Sequence, residues 1–272
     1  MADVLLPQDA GDYALMGGAP SVEAAVVDMD YTLLHKTSIV SAIFDKIKRD
    51  KKYSARKRLK FHFWDFVLKV GSRIPHSKPN GSVYKLVDKV MKGLHCDDCY
   101  IDPKAYPPNP DVLEAVKREC GEGKKVFVLT SSSAEAVRHY LDALCGYGSL
   151  SRDEYDGIEV LGVELKCEDG KISGFDESDE LTRHLVSGGS KRDFFERMRK
   201  GEGKDNTKYC ITAFYGDSNH DAPKALPHEA YFYCVERFSG KIKSPKKIPT
   251  LLEKPCAECI AEPMVYAVGT TD

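Results

Sequence analysis

The stretch VEAAVVDMDYTLL, residues 22–34, is the part of the sequence that decides the fold. Its first half is a short apolar run rich in valine, which predicts a buried strand. Two aspartates, Asp28 and Asp30, follow this run, and Thr32 comes next but one. A carboxylate at the end of a buried strand is costly unless it is paired or bound to a metal. The pair would suit a nucleophile and a proton-transfer partner that face one substrate, but for so short a motif taken alone we favour a strand that ends in a solvated acidic turn.

The composition is that of an ordinary globular protein of 272 residues, with 42% hydrophobic and 30% charged residues. Such a length accommodates one large domain, or a core with a smaller inserted domain. The formal net charge of −2 predicts no nucleic-acid partner. No apolar run reaches the ~18–20 residues that cross a bilayer. Residues 1–21 contain no basic residue, so we expect a flexible leader, no targeting signal and a cytoplasmic protein.

The nine cysteines are expected to be reduced thiols, because their number is odd and several lie in apolar runs. Two pairs have Cys-x-x-Cys spacing, Cys96 with Cys99 and Cys256 with Cys259. Together they could form a four-thiolate zinc site. The two pairs, however, are much further apart in the sequence than the about 15–20 residues of compact zinc modules. We therefore favour thiols that are not linked by a metal.

Apolar strands alternate with helices along most of the chain, which indicates an α/β fold. We predict a Rossmann-like, mostly parallel sheet covered by helices on both faces. Residues 35–104 are predicted to be helical and interrupt the alternation, so they form a small inserted helical cap. The α/β catalytic core then comprises residues 22–34 and 105–240, and residues 241–272 form a C-terminal tail.

The individual elements follow from periodicity and turn residues. Apolar spacings of three and four predict helices over 33–44, 82–94, 110–120, 134–145 and 190–200. A short helical turn is predicted over 219–226. Apolar, β-rich runs predict strands over 124–130, 208–216 and 231–235. The stretch 159–175 predicts two strands joined by a turn at Asp169 and Gly170.

Three later segments are expected near the end of the first strand, because parallel α/β sheets bind ligands beyond the carboxyl ends of their strands. Thr130 and Ser131 begin a run of hydroxyl residues before a helix, which suits a phosphate, although such residues are also common N-caps. Asp217 and Asp221 supply the carboxylates that Mg²⁺ prefers, or else an N-cap and a surface acid. Lys191 begins a predicted helix, where a cation needs an anionic neighbour unless it is solvated.

The haloacid dehalogenase superfamily has four motifs, which these residues resemble in order: Asp28-x-Asp30-x-Thr32, Thr130, Lys191 and Gly216-Asp217-Ser218-x-x-Asp221. The large gap between the first and second motifs is similar to the branch that contains phosphoserine phosphatase. GDSxxDxP and the ELKCEDGKISG hairpin also resemble that branch. The match covers residues 22–235, whereas the cap is recognisable only by its position.

The resemblance implies a Mg²⁺-dependent phosphatase that hydrolyses a small phosphomonoester through an aspartyl-phosphate intermediate. Asp28 would be the nucleophile, and Asp30 would protonate the leaving oxygen and then deprotonate water. Thr130, Ser131 and Lys191 would bind the phosphoryl oxygens and offset charge in the transition state.

The resemblance also implies which groups hold the metal. Asp28, Asp217 and the main-chain carbonyl of Asp30 would bind Mg²⁺. Asp221 would support that site directly or through Lys191.

The leaving group of the substrate is left open, because the cap chooses it. The phrase DMDYTL is similar to cytosolic purine 5′-nucleotidases, so a 5′-nucleotidase is one alternative. The same phrase includes Tyr31, which stands at a position where glycine is commonest in the superfamily. A catalytically idle binding protein is disfavoured because every chemical position is filled. The oligomeric state is not indicated.

The cap segment from Lys46 to Val70 is basic and then aromatic, and it allows two interpretations. It could lie on an anionic membrane surface, which would suit a lysophospholipid phosphatase. We favour a cap helix with a solvated basic face and inward-packing aromatic residues, namely Phe61, Phe63, Trp64 and Phe66.

Overall fold

The structure, a computed structural model, describes residues 21–71, 81–187, 189–191, 195, 198, 200–201, 207–218, 221–224, 226, 228–237, 239–248 and 250. Its strands are β1 (Val22–Asp28), β2 (Lys125–Ser133), β3 (Ile158–Val163), β4 (Leu165–Glu168), β5 (Lys171–Phe175), β6 (Tyr209–Gly216), β7 (Tyr231–Cys234) and β8 (Lys246–Lys247). Its helices are α1 (Ile39–Arg49), α2 (Ala55–Gly71), α3 (Gly81–Met91), α4 (Pro110–Gly121), α5 (Ala134–Gly146), α6 (Arg152–Asp156) and α7 (Glu180–Val186), with a 3₁₀ turn at Cys96–Cys99.

Six strands form the central sheet in the order β3-β2-β1-β6-β7-β8. Strand β1 pairs in parallel with β2 on one side and β6 on the other, and β3 and β7 continue the parallel arrangement outward. The two-residue strand β8 is antiparallel to β7. Because parallel strands share one carboxyl edge, the segments after β1, β2 and β6 meet there. The predicted mostly parallel α/β sheet is confirmed.

Two apolar clusters cover the two faces of the sheet, as the alternation of side chains along a strand requires. Ala25 and Val27 of β1 belong to the first cluster, which includes residues of α1, α4 and α5. Ala24 and Val26 belong to the second, which includes residues of α7. Helices therefore lie on both faces, as predicted.

The first helix begins later than predicted over 33–44. Ser38 is its N-cap and accepts a hydrogen bond from the Ser41 amide over 3.2 Å, so α1 starts at Ile39. Leu33 and Leu34 are fully buried, but they lie in the loop after β1. Their spacing reflects burial in the core and not a helical turn.

The stretch 159–175 forms three strands where two were predicted. Strand β3 belongs to the central sheet, whereas β4 and β5 form a separate antiparallel hairpin. The chain leaves the sheet at Glu164, whose amide donates to Thr182 Oγ1 over 2.8 Å. The predicted turn is confirmed: Asp169 and Gly170 adopt φ angles of 51° and 71°, which suit a tight hairpin.

The remaining predictions are confirmed only in part. Helices α3, α4 and α5 and strands β2, β6 and β7 match within a few residues. Much of 190–200 and part of 219–226 lie outside the described residues, and the described residues of 221–224 form bends. Part of the predicted tail adds to the sheet as β8.

In the predicted cap, α2 packs on α1 through one of its faces. The rings of Phe44 and Phe61 meet edge to face at 5.0 Å, and Lys48 pairs with the buried Asp65 over 2.8 Å. Phe61 is buried and Trp64 half-buried, as predicted, but Phe63 and Phe66 are 58% and 65% exposed. The prediction of inward packing is wrong for these two residues, because no described element covers their side of α2.

A disulfide joins Cys96, at the end of the cap, to Cys167 of β4. The expectation of reduced thiols is therefore wrong for these two residues, while Cys99, Cys120, Cys145 and Cys234 are free thiols. Because Cys96 is bonded to Cys167, it is not available for the zinc site considered above, and Cys256 and Cys259 lie outside the described residues. No helix within the described ranges is both long enough and apolar enough to cross a membrane.

Candidate active site

Three aspartates meet at the carboxyl edge of the sheet. Asp28 is the last residue of β1, Asp217 follows β6, and Asp221 comes four residues after Asp217 in the sequence. One carboxylate oxygen from each lies within 4.8 Å of the others. Asp28 is only 5% exposed. Three acids this close together, one of them buried, repel one another and need a cation to offset that repulsion.

The close approach of Asp221 depends on Gly216, the last residue of β6. A Cβ atom at position 216 would lie 2.5 Å from Cβ of Asp221, which is closer than any real contact. Asp221 is further fixed by Ser218, whose amide and hydroxyl donate to Oδ2 over 3.0 and 2.8 Å. Position 216 therefore requires glycine because the acid packs directly against the backbone.

Lys191 supplies positive charge to this group. Its ammonium donates to Oδ1 of Asp28 and lies 3.6 Å from Oδ1 of Asp221. Burial alone would favour the neutral amine, but Asp28 and Asp221 outweigh it and raise the pKa of Lys191. Burial raises the pKa of Asp28, and Lys191 opposes that shift. The lysine predicted from its helix-start position thus lies beside the predicted nucleophile.

Asp30 is held separately, with its side chain outside the group of three carboxylates. Its Oδ1 accepts from the Ile39 amide over 2.8 Å, at the first turn of α1. Its Oδ2 accepts from the Ser132 hydroxyl over 2.9 Å. Burial raises the pKa of Asp30 above its ordinary value, while the Ile39 amide opposes the shift. A fixed carboxyl that holds its proton more readily than usual suits an acid-base role.

The hydroxyl run at the end of β2 lies at the same carboxyl edge. Thr130 is fully buried, and its Oγ1 accepts from the Ser132 amide over 2.9 Å. Ser133 caps α5 by accepting from the Ala136 amide over 3.2 Å. Capping therefore falls to Ser133 and leaves Thr130, Ser131 and Ser132 for the site.

Two site residues were missed from the sequence. Tyr84 of α3 is 6% exposed, and it makes a hydrogen bond to Ser131. Burial raises the pKa of Tyr84, and Lys191 and Asp30 are close enough to affect it. Tyr84 therefore brings α3 into contact with the carboxyl edge. The spacing within α3 marks Tyr84 only as an apolar-face residue.

The other missed residue is Arg237, in the loop after β7. Its Nε donates to Oδ2 of Asp217 over 2.6 Å, and its guanidinium lies over the ring of Tyr31, 4.4 Å from the centroid. Burial and Asp221 raise the pKa of Asp217, and Arg237 opposes them. No local sequence pattern predicts a role for Arg237, because it lies 20 residues after Asp217 in the sequence.

Tyr31 adopts a φ angle of 61°, in the left-handed region that favours glycine. Its amide donates to the Thr37 carbonyl over 3.0 Å, which closes the loop between Asp30 and α1. This backbone conformation explains why glycine suits position 31. In this chain the position holds a tyrosine, and its ring contacts the guanidinium of Arg237.

The donor set suits Mg²⁺, which prefers carboxylate oxygens and water. Asp28, Asp217 and Asp221 provide hard oxygen ligands within reach of one ion. Burial raises the pKa of Asp28 and Asp217, and a bound cation would favour their ionised forms. A cavity of about 570 Å³ lies elsewhere, beside β3, and includes none of these residues in its lining.

A scan against protein-family models and a search of curated proteins each found no match. Solved structures with a similar fold include cytosolic 5′-nucleotidase IIIB bound to cytidine, with 11% identity and a TM-score of 0.41 over 71% of this chain and 73% of that chain. A phospho-aspartyl intermediate analogue of phosphoserine phosphatase has 17% identity and a TM-score of 0.44 over 74% and 80%. Phosphoserine phosphatase from T. onnurineus has 15% identity and a TM-score of 0.39 over 72% and 78%.

Proposed function

We propose that this chain is a phosphoric monoester hydrolase that acts on a small phosphorylated substrate through an aspartyl-phosphate intermediate. The observation that carries the proposal is the ion pair between Asp28 and Lys191 beside Asp217 and Asp221. A buried carboxylate next to a lysine and two further acids is an unfavourable arrangement for stability alone. It suits a site that must bind a phosphate and a divalent cation together.

In the first step a carboxylate oxygen of Asp28 attacks phosphorus, and the bond from phosphorus to the ester oxygen breaks. Asp30 gives its proton to that leaving oxygen. Lys191 and the Thr130 hydroxyl bind the phosphoryl oxygens and stabilise charge in the transition state. Ser131 contributes a further hydroxyl on the side of Tyr84.

In the second step Asp30, now ionised, removes a proton from water as the water oxygen attacks phosphorus. The bond between phosphorus and Asp28 breaks, which releases inorganic phosphate and restores the carboxylate. The hydrogen bonds from Ile39 and Ser132 keep Asp30 in one position through both steps.

We propose that Asp28, Asp217 and Asp221 hold Mg²⁺, with the main-chain carbonyl of Asp30 as a further ligand. When bound, the ion would neutralise charge on the phosphoryl group. Lys191 and Arg237 then act as the cations that keep the aspartates in place before metal binds.

We also propose a cytoplasmic location, which cell fractionation would test.

Turnover of p-nitrophenyl phosphate by wild type and Asp28→Asn tests the proposal. We expect Mg²⁺-dependent hydrolysis by wild type and a loss of at least about a thousandfold in the variant, since the nucleophile is removed. Glu114→Asn on the exposed face of α4 serves as the control. Full activity of a folded Asp28→Asn protein would exclude this mechanism.

A phosphate-release screen over amino-acid, nucleotide, sugar and lysolipid phosphates would then identify the leaving group. The absence of turnover on all substrates, with Mg²⁺ present, would favour an idle binding protein.

A further inference from the structure

Helix α2 has two faces of different character. The face toward α1 carries Phe61, which is 1% exposed, and the buried Asp65. The opposite face carries Leu59, Phe63 and Phe66, which are 69%, 58% and 65% exposed. These three residues recur at spacings of three and four, so they form one continuous stripe along the helix. We call this set the α2 stripe.

Basic residues flank the α2 stripe. Arg56 and Lys60 are exposed on α2 beside it, and Lys51 is exposed in the turn before the helix. Within the described part of the chain, no ion pair involves any of these three cations. Asp65 is the only acid between positions 51 and 67, and it faces α1. The outward side of α2 is therefore apolar and positively charged at once.

Other basic residues near the α2 stripe add to this positive charge. The pKa of Lys57 lies below its ordinary value, first because the amine is partly buried and then because Lys60, Lys171 and Lys52 repel its charge. Such crowding of like charges is unfavourable in the isolated protein and is relieved by an anionic partner.

We propose that the α2 stripe docks on the surface of an anionic phospholipid bilayer, with Phe63 and Phe66 in the interfacial layer and Arg56 and Lys60 against the headgroups. Exposed aromatic and leucine side chains beside lysine and arginine are the composition of helices that lie in the membrane interface. Each basic residue near such a surface contributes on the order of 1 kcal/mol, which corresponds to about fivefold in partitioning.

A second copy of the chain fits this face less well. Two copies paired through the α2 stripe would bring Arg56 and Lys60 of each toward those of the other, and like charges across an interface are costly. An anionic surface instead satisfies both the apolar stripe and its cationic flanks. The proposal is independent of the phosphatase chemistry, because no α2 residue belongs to the candidate active site.

Vesicle co-sedimentation of the full chain tests the proposal. Vesicles of phosphatidylcholine alone are compared with vesicles that contain about 30 mol% phosphatidylserine, each at low salt and at about 0.15 M salt, where the screening length is near 8 Å. We expect binding to the anionic vesicles only, and weaker binding at the higher salt concentration.

Two double variants probe the two parts of the surface: Phe63→Ser with Phe66→Ser, and Arg56→Glu with Lys60→Glu. We expect each to lose at least about tenfold in partitioning. The matched controls are Tyr147→Ser, an exposed aromatic residue elsewhere, and Arg152→Glu with Lys243→Glu, the same charge change away from α2. The controls should stay within about twofold of wild type. All variants should keep wild-type turnover of p-nitrophenyl phosphate.

Failure of wild type to bind anionic vesicles at low salt would overturn the proposal, as would equal losses in the variants and their controls. Light scattering without vesicles provides a further check. A wild-type dimer that Phe63→Ser with Phe66→Ser converts to a monomer would assign the stripe to a second copy instead. Asp28→Asn should bind vesicles as wild type does, so failure of the catalytic proposal leaves this one testable.

Discussion

The guanidinium of Arg237 donates from Nε to Oδ2 of Asp217 over 2.6 Å, at the carboxylate that we assign to the metal. An arginine in this position competes with a divalent cation for the same oxygen. Because Arg237 is 44% exposed at its side chain, water screens part of this interaction. The arginine is therefore expected to tune metal affinity and not to abolish it.

Arg237→Gln should bind divalent metal more tightly, by about two- to fivefold, because a screened ion pair of this kind is worth less than about 1 kcal/mol. Direct titration with Mn²⁺ followed by electron paramagnetic resonance measures the affinity without relying on turnover. Arg152→Gln, an exposed arginine of α6, is the control. Unchanged or weaker binding in Arg237→Gln would contradict the assignment of Asp217 as a ligand.

Gly216→Ala should displace Asp221, since the new methyl would overlap its side chain. We expect a lower free energy of unfolding by about 1–3 kcal/mol, together with weaker metal binding. Urea unfolding and metal titration give the two readouts. Gly121→Ala is a suitable control because nothing lies within 4 Å of the added atom. Equal behaviour of the two variants would show that position 216 tolerates a side chain.

Asp30→Asn should separate substrates by their leaving groups. Nitrophenolate leaves without a proton, whereas the alkoxide of an alkyl phosphate needs one. We therefore expect the variant still to release p-nitrophenolate rapidly in the first turnover, as the phosphoenzyme forms. Formation of the phosphoenzyme from an alkyl phosphate should fall by at least about a hundredfold. Rapid-quench kinetics on both substrates measures this difference. Equal losses on both would mean that Asp30 does not donate the proton.

Tyr84→Phe should raise KM severalfold for the physiological phosphomonoester with little change in kcat, because it removes the hydrogen bond that orients Ser131. Steady-state kinetics on the best substrate of the phosphate-release screen checks this. Tyr147→Phe, an exposed tyrosine, is the control. A fall in kcat at constant KM would instead place Tyr84 in the chemical step.

Glu119→Gln should destabilise the fold at pH 7 by about 1–3 kcal/mol, since Glu119 is 3% exposed and accepts from Lys124 over 2.8 Å. Burial alone would raise the pKa of Glu119, but hydrogen bonds from Lys124, Tyr215 and Arg118 outweigh it and lower the pKa below the ordinary 4.5. A lowered carboxyl pKa stabilises the fold above pH 4.5, and this stabilisation is lost as pH falls below that value.

The difference in unfolding free energy between wild type and Glu119→Gln should therefore be constant from neutral pH down to about 5.5 and shrink below about 4.5. Urea unfolding at several pH values measures it. Glu114→Gln, an exposed residue of the same helix, should show almost no difference at any pH. A difference that grows on acidification would contradict the direction of the pKa shift.

Local patterns were sufficient for much of the fold. The valine-rich run before Asp28 predicts the central strand, and the Asp169-Gly170 pair predicts the turn between β4 and β5, because both depend on short-range sterics and burial. The order of the acidic and hydroxyl segments also predicts their meeting at one edge, because parallel strands share it.

Other features depend on contacts between distant parts of the chain. The break between β3 and β4 has no turn residue to mark it and follows from contacts of Glu164 with Arg138 and Thr182. Which aromatic residues of α2 are buried is set by where α1 lies and not by the helix sequence. Arg237 reaches Asp217 only through the loop after β7.

The end of the cap is fastened to the hairpin of β4 and β5. The amide of Gly93 donates to the Ile172 carbonyl over 2.8 Å, Asp88 of α3 accepts from the Phe175 amide over 3.0 Å, and Cys96 is bonded to Cys167. Helix α3 with the segment that follows it is therefore joined to the hairpin by two hydrogen bonds and a covalent bond, so residues on the one keep a fixed position relative to residues on the other. The hairpin in turn meets the core at Glu164, whose carbonyl accepts from the Asp176 amide over 2.9 Å.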